Sequence, residues 1–243
     1  MSNVAADSFE TYLANLKLVL LFSIPFIISL AIPIFASVPT YISAGGIFLR
    51  TASLFVSVGP VSIAVIIISI FLSLLFLSFA FVAISIIVKS KRTYTKSPKH
   101  VIDGIEKYTG RVFVILLLYA LAIVIANVVG YVLGIEAQLT ALVAFFGSIL
   151  IFYAPTAVVV DDRKVIRAVV DSVRLVRSMP GYFLMWLVIA LVAISLLDVI
   201  TIGIAGTIAS RYILLLVNSL ILLPYFVVFQ TEAYMKKFPL LRH

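Results

Sequence analysis

The sequence predicts an all-α fold, a polytopic membrane bundle of six transmembrane helices with amphipathic helices along its cytoplasmic surface. Three observations carry that expectation. Of 243 residues, 64% are hydrophobic and only 12% charged, with a mean hydropathy of +1.27, which leaves too little polar surface to coat a soluble globule of this size. Apolar runs of about 20 residues, the length that crosses a bilayer, recur along the chain. The basic residues gather in short stretches between alternate runs. With both termini inside, Lys17, seven residues from Lys89 to Arg111, five from Arg163 to Arg177 and three in the tail face the cytoplasm, sixteen of eighteen, leaving Arg50 and Arg211 outside.

The elements follow in order. Asp7 to Lys17 spaces apolar Phe9, Tyr12, Leu13 and Leu16 against polar Asp7, Glu10 and Asn15, as a surface helix does. The acids there and the long apolar run behind them predict a retained membrane helix rather than a signal peptide. The first span, Leu18 to Val38, carries Pro25 and Pro33 and is expected to kink. Residues 39–60 are too apolar for an ordinary loop; a short outer-face helix, a re-entrant piece turning at Gly45-Gly46, and a loop packed on the bundle all fit. The second span, Val61 to Val88, is about 42 Å long against a core of roughly 30 Å, so it tilts or protrudes. A basic loop and a surface helix, Val101 to Arg111, precede the third span, Val112 to Gly134, which pairs through a tight turn at 135–138 with the fourth, Leu139 to Val160.

Next comes the most informative stretch, FYAPTAVVVDDRKVIRAVVDSVRLVRSMPGYFL, residues 152–184. On a helical wheel Val165, Ile166, Val169, Val170, Val173 and Val176 share one side, and Arg163, Lys164, Arg167, Asp171 and Arg174 the other. This predicts an interfacial helix with an Arg167–Asp171 i,i+4 pair, its cations turned to anionic lipid. The fifth span runs from Tyr182 to Ile204 and the sixth from Tyr212 to Thr231. Three units, 1–88, 89–160 and 161–243, repeat the plan of a surface helix feeding a hairpin, within a single membrane domain.

The same stretch resembles the membrane domain that accompanies bacterial glycerophosphoryl diester phosphodiesterases, and related six-span proteins of archaea. Shared are a span ending at Tyr153-Ala154-Pro155 and a following helix with Ala168, Asp171 and Ser172. The resemblance implies a fold and a membrane location. It carries no enzymatic activity across, because in those proteins catalysis belongs to a separate soluble barrel.

Little in the sequence suggests chemistry. Cysteine is absent, His100 and His243 lack spaced partners, and no phosphate loop occurs, so no catalytic residue, metal or cofactor is expected. Asp161-Asp162 reads as N-terminal capping charge for the helix that follows. Asn127, Asp198, Arg211 and Asn218, with Thr201, fall in the outer third of their spans; they could line a polar pocket, or Asp198 could pair with Arg211 while the asparagines bond between helices. Gly130 and Gly134, like Ser69 and Ser73, suit close helix contact within the chain or between protomers, and Trp186 suits an interfacial belt. Lys89, Lys91, Arg92, Arg163, Arg167 and Arg174 are candidate contacts for anionic lipid or a protein partner. Around Tyr94 the aromatic platform of a single-strand binder is missing, which argues against nucleic acid. The functional expectation is a non-enzymatic component that organises lipids or partners in the cytoplasmic membrane; the alternative is a transporter or channel subunit using the outer polar pocket.

Overall fold

The computed structural model describes residues 2–35, 41–44, 47–50, 60–93 and 98–237. Its helices are α1 (Ser2–Ala14), α2 (Leu16–Phe35), α3 (Pro60–Thr93), α4 (Pro98–Val132), α5 (Glu136–Ile151), α6 (Ala154–Asp161), α7 (Val165–Ser178), α8 (Pro180–Val217) and α9 (Leu223–Lys237). Five helical stretches are long and apolar enough to cross a membrane: 63–90, 101–132, 136–161, 180–206 and 212–236. Counted as one span, α1 and α2 make a sixth, bent by 91° across Asn15. α2 is assigned as one helix from Leu16 to Phe35, with Pro25 and Pro33 inside it.

Local structure adds detail in two places. Between α2 and α3, where a short helix, a re-entrant piece and a packed loop all fitted the sequence, Tyr41–Ala44 (β1) and Ile47–Arg50 (β2) form an antiparallel ribbon with Tyr41 opposite Arg50. β-branched and aromatic side chains favour that pairing, and β2 packs on α5. Gly45-Gly46 and Thr51 to Gly59 lie outside the described residues. In α4, the expected surface helix and third span are one continuous helix of 35 residues. At 1.5 Å per residue its apolar stretch 101–132 is about 48 Å long, which exceeds a hydrocarbon core of about 30 Å by roughly 12 residues. The excess accommodates Asp103, Glu106, Lys107 and Arg111 at its start.

Prolines and glycines decide where the spans break. Pro155 has no N–H to donate to the carbonyl of Ile151, four residues back, and its ring crowds that carbonyl. Accordingly α5 ends at Ile151 and α6 restarts at Ala154, with Phe152 and Tyr153 between them in right-handed helical conformation, so the 136–161 stretch continues across a local lapse in its hydrogen bonding. The Tyr153 N–H is not lost: it donates to Ser172 Oγ of α7 at 2.9 Å. Pro224 does the same to Leu220, and the chain there forms a π-helical turn, Asn218–Leu222, with Leu223 N–H donating to Asn218 C=O. The Tyr12 hydroxyl donates to the Leu220 carbonyl at 3.3 Å, supplying a partner that proline denies it. Within α8, Gly206 takes φ 71° and ψ 175°, a conformation only glycine adopts readily. The chain folds back there: Trp186 and Phe226, each twenty residues from Gly206, bring their rings to 5.2 Å.

Gly130 and Gly134 serve the α4–α5 turn. A methyl group on Gly130 would sit 2.8 Å from Glu136 Cα, and Gly134 has φ +70°. The turn therefore comes three residues early and leaves Glu136 inside α5. Ser73 clamps α3 to α2, its hydroxyl donating to Ser29 C=O at 2.6 Å while Ser29 Oγ donates to Ser73 C=O at 2.8 Å.

The core is aromatic where the broken span meets α8 and α9. Phe152 lies edge-on to Phe183 and Trp186, with ring centroids 5.0 Å apart in both pairs. Trp186 is buried and its indole N–H has no hydrogen-bond partner, so it is a core residue and not a belt residue. Elsewhere large apolar side chains face outward, among them Val188, Val192, Leu196 and Val199 of α8. Only 11% of the central window of 180–206 is buried. In water such a surface invites aggregation, and against lipid it costs nothing.

If the serine clamp is direct, Ser29→Ala and Ser73→Ala are non-additive. A double-mutant cycle of unfolding in mixed micelles is expected to give a coupling of about 0.6–1.7 kcal/mol; strictly additive losses would mean that the clamp contributes nothing.

Candidate functional site

Four polar contacts from three other helices gather where α6 ends. Asp161 is the last residue of α6, and Asp162, at φ 54°, is the left-handed residue that stops it. The N–H groups of Asp162 and Arg163 both return to the carbonyl of Ala157. The acid pair thus ends one helix and does not cap the next, whose N-cap is Lys164 with no side-chain cap bond. Carboxylates at a helix C-terminus meet the negative end of its dipole and need cations nearby.

Those cations come from α4. Lys107 Nζ and Arg111 Nη1, one turn apart on the same face, each lie 2.6 Å from an oxygen of Asp162. Asp161 accepts from the Tyr234 hydroxyl of α9 at 2.8 Å. Lys89 of α3 donates to the Val159 carbonyl at 2.9 Å. Three helices therefore grip the last turn of α6. A second set ties α1 to α9, with Thr11 Oγ1 donating to Glu232 at 3.0 Å and Lys236 pairing with Asp7 at 3.4 Å.

The Asp162 carboxyl is held below the ordinary aspartate range, first by its hydrogen bond from Lys107, with Arg111 adding to the effect and partial desolvation opposing it.

α7 lies beside this junction and shows three faces. Ala168, Ser172 and Leu175 are buried against the bundle, and the small pair allows close approach to Ala154 and Ala157 of α6, also fully buried. Ile166, Val170 and Val173 point away, Ile166 being 79% exposed. Arg167 and Arg174 form a third, cationic face, exposed and without ion pairs among the described residues. The predicted apolar side is thus split in two. Asp171 pairs with Arg163 at 3.1 Å, off the N–H axis, instead of with Arg167. Between α4 and the start of α7 an open cleft of about 810 Å³ is lined by Arg111, Asp162, Lys164, Ile166 and Arg167 among others.

The candidate lipid contacts consequently divide. Lys89 is engaged with Val159, and Arg163 with Asp171. Arg167 and Arg174 remain outward, and the side chains of Lys91 and Arg92 lie outside the described residues, as does the Tyr94–Lys96 stretch.

Among the described residues no hydrogen bond links the side chains of Asn127, Asp198 and Asn218. Asn127 is fully buried, but its Nδ2 donates to Glu136 Oε1 at 2.9 Å and Thr140 Oγ1 at 3.3 Å, both on α5, and its Oδ1 has no partner. Asp198 is exposed on α8, and Thr201 bonds back to Leu197 and Asp198 carbonyls of its own helix. Asn218 sits in the π-helical turn with Oδ1 unpaired. The Arg211 side chain lies outside the described residues. Helix α4 packs on α3, α5, α6 and α7, and α8 on α2, α7 and α9. A narrow apolar cavity among Phe26, Phe81, Phe152 and Gln230 has room for about one water. No cluster of three metal-ligating side chains occurs among the described residues.

Sequence reasoning missed Lys107, Arg111, Ser172 and Tyr234. The one available signal was the i,i+4 spacing of Lys107 and Arg111 on a helix otherwise short of cations.

Replacing Asp162 tests the junction. Asp162→Asn keeps a residue that tolerates the left-handed conformation and removes only the charge, a loss of about 0.5–1 kcal/mol given solvent screening at this half-exposed site. Asp162→Ala adds a backbone cost of about 1–2 kcal/mol. Because the folded carboxyl titrates below its unfolded value, wild type gains stability above the ordinary aspartate range and loses it as pH falls through the lowered folded value. The Asn variant is expected to lack that acid-side loss in melts across the same window.

Compared with family models, curated proteins and solved structures, the chain matches none.

Proposed function

We propose that this chain is a non-enzymatic, multi-pass protein of the cytoplasmic membrane that organises lipids or partner proteins through its cytoplasmic end. The observation that carries the reading is the division of α7 into three faces. Small residues dock it on the bundle, Ile166, Val170 and Val173 turn outward, and Arg167 and Arg174 stand beside them. A helix with adjacent outward apolar and cationic faces fits the boundary between acyl chains and anionic head groups. Two other places also turn apolar side chains outward, although α1 carries no basic residue. In α1, Val4, Ser8, Thr11 and Tyr12 face the bundle while Phe9 and Leu13 face out, and at the start of α4 Ile102 is exposed beside buried Val101. These three places begin the three repeat units expected from sequence, and in this reading the charged junction faces the inner interface. The basic inventory supports the same orientation, with both termini cytoplasmic.

The transport alternative rested on a shared outer pocket, whereas Asn127 bonds to Glu136 and Thr140 of α5 and Asp198 is exposed on α8. The ion pairs around Asp162 make structural sense as they stand, and this reading gives them no catalytic task. The resemblance to the membrane domain of the phosphodiesterases agrees with a membrane role without chemistry of its own.

The absence of cysteine makes the orientation directly testable. With single cysteines introduced by Gln138→Cys and Arg174→Cys, a membrane-impermeant maleimide applied to intact cells is expected to label position 138 and leave 174 unlabelled until the membrane is opened. Equal labelling, or the reverse pattern, overturns the topology. For the organising role, Arg167→Gln/Arg174→Gln protein extracted with its native membrane should carry less anionic lipid or less of its co-extracted protein than wild type. An unchanged complement would sink the role.

A further inference from the structure

The cleft between α4 and the start of α7 holds more cation than its own acids use. Its lining includes Arg111, Arg163, Lys164 and Arg167 against Asp161 and Asp162, a surplus of two positive charges. The acids are already committed, Asp162 to Lys107 and Arg111, and Asp161 to the Tyr234 hydroxyl. Among the described residues Lys164 and Arg167 have no ion pair, and both line the cleft, Lys164 as the N-cap of α7 and Arg167 as its third residue. A guanidinium beside an ammonium suits an oxyanion that offers several acceptor oxygens.

The cleft also has an apolar wall. Ile166, which lines it, is 79% exposed, and Val170 and Val173 continue the same outward track four and seven residues on, at 51% and 36% exposure. The next helix in the chain presents Leu184 and Val188 outward as well. A free phosphate ion would use the cations and leave the track bare. An acidic peptide would match the charge but would leave Ile166, Val170 and Val173 against water or lipid.

We propose that this cleft binds the phosphate head group of an anionic glycerophospholipid, with Lys164 and Arg167 on the phosphate oxygens and an acyl chain along Ile166, Val170 and Val173. The proposal rests on the functional reading above and narrows it to one lipid class at one place. Zwitterionic lipid is disfavoured because its ammonium would enter a cleft already surplus in positive charge.

The experiment uses the full chain, purified and delipidated in neutral detergent, with three probes: dioleoylphosphatidylglycerol, dioleoylphosphatidylcholine and inorganic phosphate. Readouts are the thermal midpoint and the lipid retained in native mass spectrometry. Phosphatidylglycerol is expected to raise the midpoint and be retained, and the other two to do neither. Lys164→Gln/Arg167→Gln should reduce phosphatidylglycerol retention by at least roughly tenfold, as loss of two surface cations near a lipid phosphate implies, while melting like wild type without lipid. Ile166→Ser/Val170→Ser should weaken retention with the cations intact, and Lys17→Gln, a charge change on α2, should leave it unaltered. Equal effects of the two lipids, wild-type retention by the Lys164/Arg167 variant, or a phosphate effect matching phosphatidylglycerol would each overturn the proposal. So would stabilisation by a poly-glutamate peptide in place of lipid. If Arg167→Gln/Arg174→Gln protein loses co-extracted partners while the Lys164/Arg167 variant keeps full lipid selectivity, the cleft assignment fails and the broader reading stands.

Discussion

The structure depends on one missing hydrogen bond. Pro155 cannot donate to Ile151, so regular helical hydrogen bonding lapses at Phe152 and Tyr153. Beside that lapse α7 comes alongside, and its Ser172 Oγ accepts from the Tyr153 N–H at 2.9 Å. There Phe152 and Tyr153 join the aromatic core with Phe183, Trp186 and Tyr234. The short α6 that follows is only eight residues long and is anchored at its far end by α3, α4 and α9. Break, core and charged junction therefore form one arrangement, with α7 as the brace that permits it.

A second constraint is the inversion of ordinary packing logic. In water a helix hides nearly all its large apolar side chains; here α1 and α7 bury Ser8, Thr11, Ala168 and Ser172 beside Val4, Tyr12 and Leu175, and display Phe9, Leu13, Ile166 and Val170. Between helices in an apolar medium there is no hydrophobic drive to associate, so contact is decided by how closely backbones approach and by hydrogen bonds across the interface. Small and hydroxyl residues win on both counts, as Ser29 with Ser73 and Thr11 with Glu232 illustrate.

This inversion explains what could be read from the sequence. The helices long and apolar enough to cross a membrane, and the existence of α7, were legible because hydropathy over 20 residues and charge at helical spacing are properties of single segments. The rotation of α7 was not, since a wheel that rewards Ile and Val gives no weight to Ala168 and Ser172. Pro155 was visible, yet nothing local showed that Ser172, 19 residues on from Tyr153, takes the Tyr153 N–H. Asp162 and Asp161 looked like local capping charges because their partners are 51 to 73 residues away. Asn127 was correctly flagged as a polar group needing company, but Gly130 and Gly134 moved the turn and placed Glu136 within its reach.

The π-helical turn at Asn218–Leu222 sets the phase of everything after it. A single π turn accommodates one residue more than an α-helix of the same rise, which rotates the downstream side chains by about 100°. With that extra residue, α9 presents Phe226, Gln230 and Tyr234 to the interior, all within 1% of complete burial. The turn works as a vernier. Removing one residue between 218 and 222 would let the helix close up, and the tyrosine that holds Asp161 would point toward a different neighbour although no residue of the junction had changed.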